Sequence, residues 1–213
     1  FVQDDCGITR ITLSQDTFTC DDLGVNPEVV TAFDAVGNST GCGFNVTVID
    51  QIAPEAVCQD ITVELDENGL ATISPEEVDG GSNDNTDCFD LSVNVDSFFC
   101  MDIGENTVTL TITDSAGLSD SCTAVVTVED NLPAVIDSCT ADIVLNTDPG
   151  QCGAVVDYYI PTFLDNCDGL QQGSLVFGKA SGAFFETGVT DVRYIYIDSE
   201  GNVSAACDFT ITV

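Results

Sequence analysis

Apolar and polar residues alternate along many short stretches of this chain, which is the pattern of half-buried β-strands. Between Thr107 and Thr113 an apolar residue follows each threonine, and a turn containing Gly117 comes next. A second alternating stretch, Thr123–Val128, follows this turn. Period-2 alternation interrupted by a glycine-containing turn predicts a β-hairpin. Helical periodicity is nearly absent, with one short turn expected at Pro75–Val78, so the chain is predicted to be all-β.

The hairpin pattern occurs three times along the chain. The segment Val108–Gly117 has an earlier counterpart, Val29–Asn38, and a later one, Val192–Asn202. Each copy continues through a cysteine into an alternating strand, and the first two copies are followed by a linker that contains proline. A nearly constant spacing with self-similar sequence is typical of tandem small domains. We therefore predict repeats at residues 1–50, 51–130 and 131–213.

The complete repeats have the strand density of a β-sandwich. Each contains about seven short strand segments in about 80 residues, which predicts tandem immunoglobulin-like β-sandwich domains. The first repeat lacks the thirty-odd residues that open the second. Either the chain is a piece of a longer array, or a neighbouring molecule supplies the missing strands by β-strand addition.

The composition excludes several classes of function. Asp and Glu number 37 while Lys and Arg number 3, giving a formal net charge of −34. Such a chain repels the phosphates of nucleic acids and anionic membranes, and no apolar run is long enough for membrane insertion. The absence of histidine removes the catalytic triads and metal sites that need imidazole. Paired carboxylates are expected by chance in so acidic a chain, so we predict no catalytic residue and no enzyme activity.

The cysteines indicate an oxidising environment. Eleven are present, and none forms a CxxC pair. This wide spacing argues against zinc ribbons and redox motifs and favours structural disulfides. We therefore expect a protein that is extracellular or attached to the cell surface.

The third repeat resembles the hyalin repeat (HYR) family across nearly its whole length. The matching motifs are Cys139–Ile143, Gly150–Val156, Asp165–Cys167, the turn at Asp198–Asn202, and Cys207 with the strand that follows it. The resemblance implies an extracellular immunoglobulin-like module that is used in tandem for adhesion or as a stalk. The family as a whole is not enzymatic.

The first two repeats are similar to a variant of this family found in large surface proteins of the Bacteroidota. The second repeat has no counterpart of Cys152, and it gains Cys100 after two phenylalanines. Our main prediction is therefore a structural segment of a bacterial adhesin or surface fibre, whose partners are copies of itself or neighbouring repeats. One alternative is a polymerising subunit completed by strand donation. Another is a carbohydrate-binding accessory module that binds surface glycans through tyrosines of the third repeat.

The resemblance also suggests a set of disulfides. In sandwiches of this kind the first strand often lies parallel to the last, and here both begin with a cysteine. The expected pairs are Cys58–Cys122, Cys139–Cys207, Cys88–Cys100, Cys152–Cys167 and Cys6–Cys20. Cys42 is left unpaired, because its partner would lie upstream of Phe1, or it forms an intermolecular bond with a neighbouring subunit.

Acidic side chains recur in glycine-rich loops, in the hairpin turns and beside the linkers. Ca²⁺ binds about six to eight oxygens, mostly from carboxylates and carbonyls of flexible loops. A loop, a turn and a linker aspartate that meet near a domain junction would form such a site and stiffen the junction. The candidate ligands are Asp84, Asp87, Asp114, Asp130, Asp165 and Asp198. The alternative is that each aspartate only caps its own turn.

Short sequence motifs indicate possible sites of glycosylation. Asn38, Asn45 and Asn202 each begin an Asn-x-Ser/Thr sequon. Ser115 lies in a three-residue motif similar to the O-glycosylation motif of Bacteroidota.

Overall fold

The computed structural model describes residues 7–213, so Cys6 lies outside the described part of the chain. The fold is all-β, which confirms the prediction from the alternating pattern. The expected turn after Ser74 is a short 3-10 helix, Pro75–Glu77, in which the Ser74 backbone N–H donates to the Glu77 carboxylate at 2.7 Å. Two further 3-10 helices of the described residues are Cys20–Asp22 and Cys100–Asp102.

Eighteen strands occur in the described residues. In chain order they are β1 (Ile8–Leu13), β2 (Gly24–Asp34), β3 (Ser39–Val48), β4 (Ile61–Glu64), β5 (Leu70–Thr72), β6 (Phe89–Val93), β7 (Ser97–Phe99), β8 (Gly104–Asp114), β9 (Ser119–Glu129), β10 (Val135–Ser138), β11 (Ile143–Val144), β12 (Gly153–Val156), β13 (Thr162–Asp165), β14 (Gly169–Gln172), β15 (Ser174–Phe177), β16 (Ala183–Glu186), β17 (Val189–Ile195) and β18 (Cys207–Thr212).

These strands form six sheets within the described residues. Their strand orders are β1-β2-β3, β4-β9-β8-β6, β5-β7, β10-β13-β14, β11-β18-β17-β15 and β12-β16. Every one of these sheets takes its strands from a single predicted repeat. The repeat boundaries themselves stay a prediction.

The chain divides into two compact units. Unit 1 comprises the described residues up to Ile61 together with Ser74–Asp96 and Thr107–Val125. Unit 2 comprises Thr62–Ile73, Ser97–Asn106 and Val126–Val213. Each unit therefore contains parts of more than one predicted repeat.

In unit 1, strand β8 shows the alternation that the sequence predicts. Val108, Leu110 and Ile112 are fully buried, and the residues between them are only half-buried. The sheet β1-β2-β3 is much more open, because Glu28 and Ala32 are its only buried side chains in the described residues. The Glu28 carboxylate is satisfied by the Ser14 hydroxyl and by the Gln15 N–H.

Unit 2 contains an aromatic core. Phe163 and Phe185 are fully buried, and the ring of Tyr194 stacks on that of Phe209 with centroids 6.5 Å apart. Strand β18 pairs antiparallel with β17 and parallel with β11, where Ile143 lies opposite Ile211. The strand that follows Cys139 therefore runs parallel to the last strand, as expected.

Strand β17 offers a matched test of this core. Val192 is 1% exposed, whereas Val189 on the same strand is 67% exposed. We expect Val192→Ala to lower the free energy of unfolding by about 2 kcal/mol, because it deletes apolar side-chain atoms that are packed in the core away from water. Val189→Ala should change it by less than about 0.5 kcal/mol. Urea denaturation measures both, and equal losses would contradict the assigned core.

Candidate functional site

Four disulfides link the described cysteines. They are Cys20–Cys88, Cys58–Cys122, Cys100–Cys167 and Cys139–Cys207. Their Cα–Cα distances of 5.4–6.2 Å lie in the normal range for a disulfide. Cys58–Cys122 and Cys139–Cys207 are pairs that the parallel first and last strands led us to expect.

The expected Cys88–Cys100 pair is wrong. The Cys88 carbonyl accepts a hydrogen bond from the Ser115 N–H, just after β8 ends, whereas Cys100 precedes the start of β8 at Gly104. Cys88 is bonded to Cys20 and Cys100 is bonded to Cys167, so neither is available to the other.

The expected pairs Cys152–Cys167 and Cys6–Cys20 are wrong as well. Cys152 precedes β12 and accepts a hydrogen bond from the Thr187 N–H, whereas Cys167 follows β13, which belongs to a different sheet. Cys20 is bonded to Cys88, so it is not available to Cys6, which lies outside the described residues. Cys152 and Cys42 are exposed and free within residues 7–213.

The two unexpected disulfides occupy equivalent places in the repeats. Cys20 of the first repeat corresponds to Cys100 of the second, and Cys88 of the second corresponds to Cys167 of the third. Each bond joins a residue of one predicted repeat to a residue of the next, with sequence separations of 68 and 67. This constant offset is visible in the sequence, whereas each of the five expected pairs closes within one repeat.

The Cys100–Cys167 bond holds a crowded loop in place. The Cys100 Sγ lies 3.6 Å from the Asn166 carbonyl oxygen. Gly69, with φ +70°, packs so closely that an added Cβ would lie 2.6 Å from the Cys100 Sγ. A side chain at position 69 is therefore excluded both by the backbone conformation and by the disulfide.

A cluster of three carboxylates lies in unit 1. Asp50, Asp84 and Asp114 each offer a carboxylate oxygen, and these three oxygens lie within 4.8 Å of one another. Asp114 is buried, and its Oδ1 accepts the Leu118 N–H at 2.8 Å. The other oxygen of Asp114, Oδ2, is buried without any hydrogen-bond partner, and so is Oδ1 of Asp84.

The Asp84 side chain is held in its ionised form. Burial raises its pKa, but hydrogen bonds from the Thr86 hydroxyl and backbone N–H outweigh this effect and hold the pKa below its ordinary value. Asp84 is therefore negatively charged at neutral pH, close to two other carboxylates.

The basic residues of the chain do not neutralise this cluster. The Arg10 guanidinium lies over the Phe33 ring, and Lys179 donates to the Phe184 carbonyl. Arg193 forms a bidentate pair with Asp208. Buried carboxylate oxygens with neither a donor nor a counter-ion are costly, because burial weakens the solvation of their charge. A bound cation would remove this cost.

Unit 2 contains a second group of buried carboxylates. Asp130, Asp165 and Asp198 are 3%, 4% and 6% exposed, and Oδ2 of each is buried without a hydrogen-bond partner. Burial and the hydrogen bond to Asp168 raise the pKa of Tyr196 to about 12, and the charges of Asp165 and Asp198 contribute to this rise. The charges of Asp165 and Asp198 therefore both influence the Tyr196 hydroxyl.

The structure places the predicted metal ligands in two groups, one in each unit, except for Asp87. Asp84 and Asp114 lie in the cluster of unit 1. Asp130, Asp165 and Asp198 are the buried carboxylates of the group in unit 2. Asp87 is exposed and does not belong to the cluster of unit 1. Asp50 takes its place, and its correspondence to Asp130, the linker aspartate of the next repeat, was the sequence feature that could have identified it.

The candidate glycosylation residues differ in accessibility. Asn45 is exposed on β3, and Asn38 is exposed in the hairpin turn, where its Nδ2 donates to Asp34. Ser115 is exposed and donates to the Cys88 carbonyl. Asn202 is half-buried, and its Nδ2 donates to the Asp130 carbonyl at 2.9 Å. A glycan on Asn202 would break this bond, and glycosylation at all four stays a prediction.

The tyrosines of the third repeat do not form an exposed platform. Tyr194 is 3% exposed, and the Tyr158 hydroxyl donates to the Lys179 carbonyl. The Tyr196 hydroxyl donates to Asp168. Tyr159, at 91% exposure, is the exposed member of the four. Stacking on a sugar would thus depend on one ring.

Comparison with known proteins matches residues 129–213 to the HYR domain family. Hyalin of Lytechinus variegatus is 32% identical over 155 residues, which are 71% of this chain and 28% of that protein. Hyalin of Strongylocentrotus purpuratus is 30% identical over an alignment of 217 positions that covers 96% of this chain and 18% of that protein. The chain thus spans less than a third of either relative. Residues 129–213 are therefore similar to HYR domains, and the chain as a whole is similar to parts of these two hyalins.

The chain matches solved structures at low sequence identity and with TM-scores below 0.5. Cadherin domains 1–4 of protocadherin gamma B7 are 13% identical, with a TM-score of 0.35 over 97% of this chain and 67% of that one. Domains EC21–23 of human CDH23 are 8% identical, with a TM-score of 0.36 over 89% and 74%. No helix within residues 7–213 is both long and apolar enough to cross a bilayer.

Peptide mapping distinguishes the two disulfide patterns. We expect protease digestion of the unreduced protein to release linked peptides that contain Cys20 with Cys88 and Cys100 with Cys167. Alkylation before reduction should label Cys42 and Cys152, because both thiols are free and exposed. A peptide that links Cys88 to Cys100 would contradict the structure.

Proposed function

We propose that this chain is a structural segment of an extracellular protein of the adhesion type, built from tandem repeats whose junctions are fixed by Ca²⁺ and by disulfides. The observation that carries the proposal is the cluster of Asp50, Asp84 and Asp114. Asp50 belongs to the first predicted repeat, and the other two belong to the second. A cation bound by all three would join the end of one repeat to two loops of the next.

The chemistry of the cluster favours Ca²⁺ over other common metal ions. Its members offer only carboxylate oxygens, which suit hard cations, and the chain contains no histidine. The three side chains come from a linker, a loop and a strand end. Such separate segments fit the irregular coordination that Ca²⁺ accepts better than the strict octahedron of Mg²⁺.

The disulfides supply the covalent part of the same junction. Cys88 lies shortly after Asp84 in the chain, and its bond to Cys20 links the same two predicted repeats. In the chain-entropy model, closing a loop of this length stabilises the folded state by roughly 4 kcal/mol. A junction held by a covalent bond and a cation resists bending and extension, which is the property that a stalk or fibre requires.

The surface setting follows from the resemblances and the charge. The hyalin relatives and the HYR match support an extracellular module. The bacterial adhesin or fibre is proposed from the sequence resemblance of the first two repeats to Bacteroidota surface proteins alone. In this role the partners are neighbouring repeats or copies of the chain. The net charge of −34 would keep parallel arrays apart.

The sheet β1-β2-β3 favours a second candidate function, that of a polymerising subunit. Val25 and Phe44 of this sheet are 65% and 41% exposed, and Cys42 on β3 is free. Cys42 is the counterpart of Cys122, whose partner Cys58 opens the second repeat. A neighbouring molecule that supplies a strand and a cysteine would complete both the sheet and the bond.

Electrophoresis of the native protein separates the two functions. Polymerisation through Cys42 predicts a ladder on a non-reducing gel whose steps equal the mass of one chain, and Cys42→Ser should abolish this ladder. A long tandem protein predicts instead one large species that survives reduction. Cys152→Ser serves as the control, because Cys152 is also exposed and free but lies outside the open sheet.

Thermal unfolding tests the cation site of unit 1. At a Ca²⁺ concentration about 100 times the Kd, binding to the folded state alone should raise Tm by roughly 5–10 °C. Asp114→Asn should reduce this rise, because it removes one charge while keeping an acceptor for the Leu118 N–H. Asp87→Asn removes an equal charge from the exposed residue of the same loop as Asp84 and should leave the rise unchanged. The site is refuted if both variants respond to Ca²⁺ as the wild type does.

A further inference from the structure

We infer that unit 2 holds a second Ca²⁺ site, formed by Asp130, Asp165 and Asp198. The role of this ion in stiffening the array rests on the proposed function. The site itself rests on separate residues, so its existence can be tested apart from the site in unit 1.

Each of the three aspartates is half-satisfied in the same way. In each aspartate, Oδ1 accepts backbone N–H groups of the residue's own turn. Asp130 Oδ1 accepts from Leu132 at 3.1 Å, and Asp165 Oδ1 accepts from Cys167 and Asp168 at 2.9 and 2.8 Å. Asp198 Oδ1 accepts from Glu200 and Asn202 at 3.1 and 2.7 Å. These bonds fix the orientation of each carboxylate. Oδ2 of all three residues then remains buried with no partner.

Two asparagines tie the three turns together. Asn166 follows Asp165 in the chain, and its Nδ2 donates to Asp130 Oδ1 at 3.1 Å. Asn202 donates its backbone N–H to Asp198 Oδ1, and its Nδ2 donates to the Asp130 carbonyl at 2.9 Å. Asp130 is therefore linked directly to the turn of Asp165 and to the turn of Asp198, which brings three separate segments to one place.

A related arrangement occurs in unit 1, and of the two groups only the one in unit 1 brings three carboxylate oxygens within 4.8 Å of one another. Asp50, Asp84 and Asp114 each lie one repeat before their counterparts Asp130, Asp165 and Asp198. Asp50 Oδ1 accepts the N–H of Ile52, two positions on, as Asp130 does with Leu132. Asn85 Nδ2 lies 3.3 Å from Asp50 Oδ2, as Asn166 contacts Asp130. The linker, loop and turn that gather carboxylates in unit 1 thus have counterparts in unit 2.

The electrostatics of unit 2 require a cation more strongly than those of unit 1. All three carboxylates are more than nine-tenths buried, whereas Asp50 and Asp84 keep intermediate exposure. Asp168 does not compete for the ion, because its oxygens accept from Tyr196 and from Ser199. Buried carboxyl oxygens that have no hydrogen-bond partner are costly, and a cation that contacted all three Oδ2 atoms would remove that cost. Ligands that are all oxygen again select Ca²⁺.

The nearby disulfide pre-organises this site. Cys167 donates its N–H to Asp165 Oδ1, and its bond to Cys100 anchors the loop that carries both Asp165 and Asn166. The side chains therefore need little rearrangement to bind an ion, which lowers the entropic cost of binding.

Terbium luminescence reports on this site selectively. Tb³⁺ replaces Ca²⁺ at oxygen sites and emits when a nearby excited tyrosine transfers energy to it. The four tyrosines of the chain lie between residues 158 and 196, the chain has no tryptophan, and the Tyr196 hydroxyl donates to Asp168, in the turn of Asp165. We expect saturable emission on tyrosine excitation that excess Ca²⁺ abolishes.

Two matched variants decide the assignment. Asp198→Asn should abolish the sensitised emission, while Asp114→Asn, the same change at the equivalent residue of unit 1, should preserve it. Tyr196→Phe should weaken the emission without changing the number of ions bound. Circular dichroism confirms folding, and Asp130→Asn replaces Asp198→Asn if the latter unfolds. Full emission from a folded Asp198→Asn or Asp130→Asn variant would overturn the inference.

Counting ions separates this inference from the proposed function. Native mass spectrometry with Ca²⁺ should find two ions per wild-type chain, one in either single variant and none in Asp114→Asn combined with Asp198→Asn. A single ion that Asp114→Asn removes would overturn the site in unit 2 and leave the proposed function standing. No bound Ca²⁺ would overturn both, and equal binding of Mg²⁺ would overturn the choice of cation.

Discussion

The burial of aspartate oxygens that have no hydrogen-bond donor is the constraint on which the arrangement of this chain depends. A buried carboxylate normally finds a donor or a basic partner, as Glu28 does with Ser14 and Gln15. Asp114 and Asp198 instead use one oxygen to close their hairpin turns and leave the other unpaired. The same half-satisfied geometry in both units identifies it as a property of the repeat, because an accidental defect would not recur at equivalent positions.

The disulfides and the aspartates act on the same loops. Cys88 comes shortly after Asp84 in the chain, and Cys167 comes shortly after Asp165. Each of these cysteines is bonded to a residue of the preceding predicted repeat, so the loop that carries a candidate ligand is anchored covalently at that junction. In small domains with limited cores, such cross-links supply stability that apolar burial alone does not provide. The sheet β1-β2-β3, with few buried side chains, illustrates this need.

Much of the candidate site was accessible from the sequence because aspartates beside glycine turns repeat with a regular offset. Asp114 and Asp198 were identified from the hairpin turns that they close, and Asp84 and Asp165 from their loops. Asp87, from the same loop as Asp84, lies outside the cluster of unit 1, because a loop brings only some of its side chains to one face and spacing alone does not say which. Asp50 is not among the residues predicted as ligands although its counterpart Asp130 is, and only the structure brings it beside Asp84 and Asp114.

The sequence by itself determined that the chain is all-β, and it located the hairpins, because period-2 alternation and glycine turns act locally. It also determined the charge and the number of cysteines, and therefore which functions were excluded. Only the tertiary structure decided that Cys20 pairs with Cys88 and Cys100 with Cys167, and that Asp50 joins Asp84 and Asp114. Cys88 bonds to Cys20 and not to Cys100, because the packing in unit 1 brings together two cysteines that are 68 residues apart in sequence. A disulfide or a cation site requires atoms within a few ångströms of one another, and the fold sets that distance, whereas the number of residues between the atoms does not.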